Sequence, residues 1–140
     1  MSYDNNNIFA RILRGELPCI KLYEDELTLC FMDIMPQLPG HILVIPKEAA
    51  VTIFELSEAS LAACMATSKK MGVALQQAMD VDGVSVFQLN GSSAGQTVPH
   101  VHFHLLPGAL FNAKALKGHA AEMGDMDELN AIAERIRACL

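Results

Sequence analysis

His100-Val101-His102-Phe103-His104-Leu105-Leu106 is the stretch that decides how the rest of the chain is read. Three imidazoles alternate with bulky apolar residues. On an extended strand, side chains at i, i+2 and i+4 share one face. His100, His102 and His104 are therefore expected on one side, with Val101, Phe103 and Leu105 turned into a core on the other. The chain has five histidines, and this strand holds three of them. An imidazole titrates close to neutral pH, so such a row can supply a nucleophile, an acid and a base without strong tuning.

The residues just upstream sharpen this. Gly91-Ser92-Ser93-Ala94-Gly95-Gln96-Thr97 is a small-residue loop running into the histidines. Small residues let backbone amides approach a phosphate, and Gln96 and Thr97 add side-chain donors. A neutral imidazole can attack phosphorus and form a phospho-imidazole, and His102 is the central ring with a neighbour on either side. Two other readings stay open on the residues alone. One is a metal site: zinc needs N–Zn distances of about 2.0–2.1 Å, while strand rise separates the Cα atoms of His100 and His104 by roughly 13 Å. Such a site would use two of the three histidines with ligands from elsewhere, such as His41 or Asp33. The other is a structural row, in which each ring needs its own polar partner.

Composition sets the outer bounds. The chain has 140 residues, enough for one domain, with 51% hydrophobic and 19% charged residues, a balance that builds a core. A net charge of −6 argues against a nucleic-acid or anionic-membrane surface, which would want clustered Lys and Arg. A small anion held by backbone amides stays compatible with it. The polar start, Ser2 to Asn7, does not read as a signal peptide, and no apolar run approaches the roughly 18 residues of a membrane span. Cys19, Cys30, Cys64 and Cys139 are scattered without a Cys-x-x-Cys, as expected of free thiols in a reducing cytoplasm.

Working outward along the chain, Ile8, Phe9, Ile12 and Leu13 have helical spacing, stopped by Gly15 and Pro18. Cys19–Tyr23 and Leu27–Met32 read as strands joined by an acidic turn. A proline-rich loop from Asp33 to Gly40 leads into an apolar strand, His41–Ile45. Ser57 caps a helix running to about Met79, with Leu61, Met65, Met71 and Leu75 on its buried stripe. Val84–Asn90 alternates as a strand. Residues 109 to 124 carry no clear pattern. From Asp125 to Leu140 an amphipathic helix is expected, with Met126, Leu129, Ile132 and Ile136 on its apolar side. Mixed helices and strands with hairpin-length turns predict an α+β fold on an antiparallel sheet.

The histidine row, together with Arg14-Gly15-Glu16-Leu17-Pro18, Tyr23-Glu24-Asp25, Phe31-Met32-Asp33-Ile34, the block Pro36 to Lys47 and Asn90-Gly91, closely resembles the histidine triad (HIT) family. That family's signature is His-φ-His-φ-His-φ-φ, with φ apolar. The resemblance, strongest with the Hint-like branch, implies a five-stranded antiparallel sheet with two main helices; a C-terminal helix is added here. It places the domain core at about 7–108, with an extension at about 109–140. It implies a homodimer with a continuous sheet, no cofactor, and a purine nucleotide or nucleotide conjugate cleaved at the α-phosphorus, phosphoramidates included.

Roles follow from the resemblance. His102 would be the nucleophile, with His104 and His100 supporting the phosphate and His41 joining the hydrogen-bond network. Asp33 would take the ribose hydroxyls. Ile8, Phe9, Ile12, Phe31 and Ile34 would form the base slot, and Asn90, Gln96 and Thr97 would meet the phosphate or leaving group. Many bacterial relatives hold a zinc ion with a Cys-x-x-Cys near the start, a histidine after Pro-Lys and the first triad histidine. Asn7, Ala10 and Glu48-Ala49-Ala50 stand at the first two sets of positions, so no zinc is expected there. A metal-dependent hydrolase using two triad histidines and a non-catalytic nucleotide-binding dimer are the alternatives.

Overall fold

The fold was obtained as a computed structural model that describes residues 2–110 and 119–140; the part of the expected extension at 111–118 lies outside them. The chain builds one antiparallel sheet of five strands: β1 (Lys21–Glu24), β2 (Thr28–Met32), β3 (Ile42–Pro46), β4 (Val84–Gln88) and β5 (Phe103–Pro107). Their spatial order is β1-β2-β3-β5-β4, so β4 is an outer strand. Among the described residues three α-helices complete it: α1 (Ile8–Leu13), α2 (Glu58–Met79) and α3 (Met126–Arg137).

β2, β3 and β5 are buried on both faces, which explains their unbroken apolar sequences. On one face, Cys30, Met32, Ile42, Val44, Val101, Phe103 and Leu105 meet Met71, Ala74 and Leu75 of α2 and Leu129, Ile132, Ala133 and Ile136 of α3. The C-terminal helix is thus part of the main core. On the other face, Leu29, Phe31, Leu43 and Ile45 pack under Phe9 of α1. The histidines open on this second, thinner side.

Helix ends are set by local polar groups. The Ser57 side chain accepts from the Ser60 amide, and Glu48 receives both the Ser57 and the Ser60 hydroxyls beside the positive end of α2. Asn7 caps α1 and Asp125 caps α3 in the same way.

Several expectations shift. β5 begins only at Phe103: the His100 amide bonds back to Val98 and the Val101 amide goes to Ala50, so His100 and His102 precede the ladder while keeping their alternating orientation. β1 starts at Lys21, and its register against β2 is irregular between Lys21 and Tyr23. β4 stops at Gln88, where Gln88 and Asn90 bond each other through their side chains. Met65 and Met126, expected on buried stripes, are 47% and 44% exposed, because the core contacts of α2 and α3 run along Met71–Leu75 and Leu129–Ile136.

The connection from β2 to β3 carries two of the expected site residues. The Asp33 amide donates to the His41 carbonyl, one step beyond the Met32–Ile42 pair, and so holds the two ends of the loop together. Gly40 turns the chain at φ +91, and a Cβ there would stand 2.9 Å from the Pro107 ring and 3.2 Å from Met79. Both the backbone conformation and the lack of space call for glycine. Gly40→Ala is expected to cost on the order of 2 kcal/mol, seen as a lower urea midpoint with an unchanged slope.

Candidate active site

His100, His102 and His104 all lie on the α1 side of the sheet, each at most 2% exposed. Their hydrogen bonds determine what each ring offers. His102 places Nδ1 2.7 Å from the His100 carbonyl oxygen. A carbonyl only accepts, so Nδ1 carries the proton and Nε2 keeps an in-plane lone pair. His41 reads the opposite way. Its Nδ1 is 3.0 Å from the Gln37 backbone N–H, which only donates. His41 Nε2 therefore holds the proton and directs it at His104 Nδ1, 2.9 Å away. His104 in turn carries its own proton on Nε2, a buried nitrogen with no partner among the described residues. His100 Nε2–H donates to the Pro46 carbonyl at 2.8 Å, and its Nδ1 receives the Tyr3 hydroxyl at 2.6 Å.

Burial keeps these rings neutral. It pushes His41 down to about 4 and His102 down to about 3, with the His100 carbonyl partly opposing the shift at His102. It lowers His100 and His104 as well, and the neighbouring rings add to the effect at His104.

A cavity of about 520 Å³ opens beside the row, within the range of small-ligand sites. Ile8, Phe9, Ile12, Phe31 and Ile34 line it together with Asp33 and Thr97, so the expected base slot, the acid and one loop residue are brought together. Ile8 and Ile34 are 48% and 42% exposed at its rim. Asn90 and Gln96 are placed elsewhere. Asn90 accepts from the Ile53 amide, while Gln96 joins Gly91 to Val51 and Val98, so their polar ends are spent on the loop itself.

His119 stands in the site although nothing in the sequence reading selected it. It contributes to the cavity wall with Ala120 and Ala121. Its Nδ1 bonds the Asp33 carboxylate, its Nε2 is buried without a partner among the described residues, and its ring stacks on His102 at 5.3 Å between centroids. Phe9 meets His102 edge-on at 5.0 Å. His102 is thus reached from the cavity past His119. The stacked ring covers the face of His102; the lone pair lies in the ring plane. Backbone bonds from Ala120 to Met35 and from Gly124 to Ile34 clamp this segment to the loop after β2. The only signal for His119 was a leftover histidine among alanines. Tyr3, likewise missed, sat in a polar stretch that carried no pattern.

Two groups could hold a metal ion by proximity: His102, His104 and His119, and Asp33, His41 and His104. The proton directions oppose both. His104 presents N–H rather than a lone pair to the first, and both nitrogens between His41 and His104 are committed to their mutual bond in the second. Where zinc-binding relatives carry the cysteines and the histidine, Asn7 caps α1, Ala10 is buried and Glu48 accepts from the Ser57 hydroxyl at the start of α2.

The depressed imidazoles predict an acid-sensitive fold. Each binds its proton less readily when folded, so its contribution is complete above the free value of about 6.5 and is lost as pH falls toward 3–4. The slope is on the order of 1 kcal/mol per pH unit for each ring. Urea midpoints should fall steadily between pH 7 and pH 4.5, and His41→Gln should flatten that fall.

A family model described as HIT domain matches residues 14–110. Adenosine 5'-monophosphoramidase hnt1 of Schizosaccharomyces pombe is 45% identical over 100 residues, covering 71% of this chain and 72% of that protein. Adenosine 5'-monophosphoramidase HNT1 of Saccharomyces cerevisiae is 35% identical over 133 residues, covering 95% and 82%. The crystal structure of a Hit-like protein involved in cell-cycle regulation from Bartonella henselae, with unknown ligand, superposes at a TM-score of 0.89 with 37% identity over all of both chains. With the triad, the sheet order and these likenesses in agreement, the chain belongs to the HIT family.

Proposed function

We propose that this protein is a HIT-type hydrolase that cleaves purine nucleotide conjugates at the α-phosphorus, phosphoramidates among them, through a nucleotidyl group on His102. The observation that carries the reading is the bond from His102 Nδ1–H to the His100 carbonyl. It orients the ring, leaves the Nε2 lone pair for attack, and steadies the positive charge that the ring acquires on forming an N–P bond. Burial supports the same reading, because a ring protonating at about 3 keeps its lone pair at neutral pH. His104 Nε2–H, aimed by His41, suits a phosphate oxygen. The apolar slot suits a flat base, and Asp33 in its wall, already bonded by the Met35 amide and His119, keeps further carboxylate lone pairs for ribose hydroxyls. The names of the two yeast relatives support a phosphoramidate as substrate.

A homodimer fits the outer strand. β4 has an edge unpaired among the described residues and leaves Val86 47% exposed; Met65 and Val73 of α2 are exposed to a similar extent, and Phe54 to 82%. A second copy adding to this edge would extend the sheet and cover those side chains. No described helix is long and apolar enough to cross a membrane, and all four cysteines are free thiols, as suits a cytoplasmic protein.

His102→Ala should lower kcat on adenosine phosphoramidate at least 1,000-fold while its circular dichroism stays that of the wild type. Rapid acid quench of the wild type should trap a nucleotidyl adduct that the variant lacks. Normal turnover by the variant would remove the mechanism, and tight AMP binding without cleavage of any conjugate would leave a binding protein. In sedimentation runs, Val86→Lys should shift a dimeric wild type toward monomer.

A further inference from the structure

The triad and His41 leave one imidazole of the site unexplained. We propose that His119 is a catalytic acid–base residue, oriented by Asp33, that protonates the leaving group and then takes the proton from the attacking water. This rests on the reading of His102 as nucleophile.

Four observations converge. His119 Nδ1–H donates to the Asp33 carboxylate, which directs Nε2 into the site. That Nε2 is buried with no partner among the described residues, and a buried polar nitrogen calls for one. One ring nitrogen of each of His102, His104 and His119 lies within 4.8 Å of those of the other two. Finally, His119 lines the cavity while His102 lies behind it, so it is the first imidazole that a nucleotide's phosphate meets.

The distances suit proton transfer. In an in-line displacement the leaving atom stands opposite His102, on the order of 4 Å from its Nε2. An acid must lie within about 3 Å of that atom. A ring nitrogen of His119 within 4.8 Å of one of His102 is compatible with this triangle. A carboxylate, an imidazole and a reacting group in series is also the arrangement by which hydrolases hold a histidine in one tautomer. His104 is directed differently: its proton is fixed outward by His41 and Gln37, so it serves as a steady donor.

The protons balance over both halves. First, the His102 Nε2 lone pair forms the N–P bond, and the bond to the leaving amine breaks. The amine departs with that electron pair and the proton from His119 Nε2. Then neutral His119 takes a proton from water as the water oxygen attacks phosphorus. The N–P pair returns to His102, nucleotide is released, and His119 is again protonated.

The test uses full-length wild type, His119→Ala and His119→Gln, with a chelator present. Two adenylates are compared: a phosphoramidate with an alkylamine leaving group, and an ester with an acidic nitrophenol. On the phosphoramidate both variants should lose at least 100-fold in kcat. On the ester, whose leaving group needs no acid, they should give a burst of nitrophenol of about one equivalent, followed by slow turnover. Mass spectrometry should then show the nucleotidyl adduct accumulating. Equal losses on both substrates without a burst would overturn the proposal, as would wild-type rates. A variant faster than wild type would make His119 a gate instead, and wild-type activity abolished by chelator and restored by zinc would make the three histidines a metal centre. Failure of the wild type itself to form an adduct would instead sink the reading of His102.

Discussion

One backbone N–H gives the site its direction. The Gln37 amide can only donate, and it meets His41 Nδ1. A neutral imidazole has one proton, so His41 must donate its own to His104 Nδ1, and His104 must carry its own on Nε2. The His100 carbonyl imposes the opposite tautomer on His102. Adjacent rings of the same residue type thus become a donor and a lone pair. This division depends on burial, because a ring that gained a second proton would donate from both nitrogens and erase the distinction. Burial provides it, holding His41 and His102 neutral down to about 4 and about 3.

The fold serves that arrangement by being unequal on its two faces. α2 and α3 cover one side of the sheet with a continuous apolar core. The short helix α1 covers only part of the other, where Phe9 touches both Phe31 and His102. The space that α1 leaves is the cavity of about 520 Å³. The loop between β2 and β3, closed by the Asp33–His41 backbone bond, brings Asp33 to the cavity wall and His41 against His104. The loop before β5 ends at Pro99 and His100, so the triad enters the sheet only at Phe103.

Metal chemistry and imidazole chemistry often use the same residues, and proximity alone does not separate them. Here the second nitrogen of each ring does. A ligand histidine must offer a lone pair to the ion and send its proton outward. His102 meets that condition, whereas His104 does not, because His41 already donates to it.

Much of this was legible in the chain alone. Alternation over residues 100–106 told which side chains share a face, because strand geometry makes orientation a matter of parity. The apolar runs of β2, β3 and β5 and the cap at Ser57 are local, and local rules read them. Helix stripes were read less well at Met65 and Met126, where periodicity admits a residue that the neighbouring elements leave uncovered. Two things waited for the tertiary structure. Gln96, which looked like a phosphate donor, is consumed by its own loop. His119 lies 86 positions from Asp33 in a stretch without pattern, yet the two meet in the site. Sequence alone determined which chemistry the strand could carry, since residue type and parity are local. Only the folded chain decided which nitrogen holds each proton and which distant histidine joins the row, since hydrogen-bond direction is set by the partners that packing brings near.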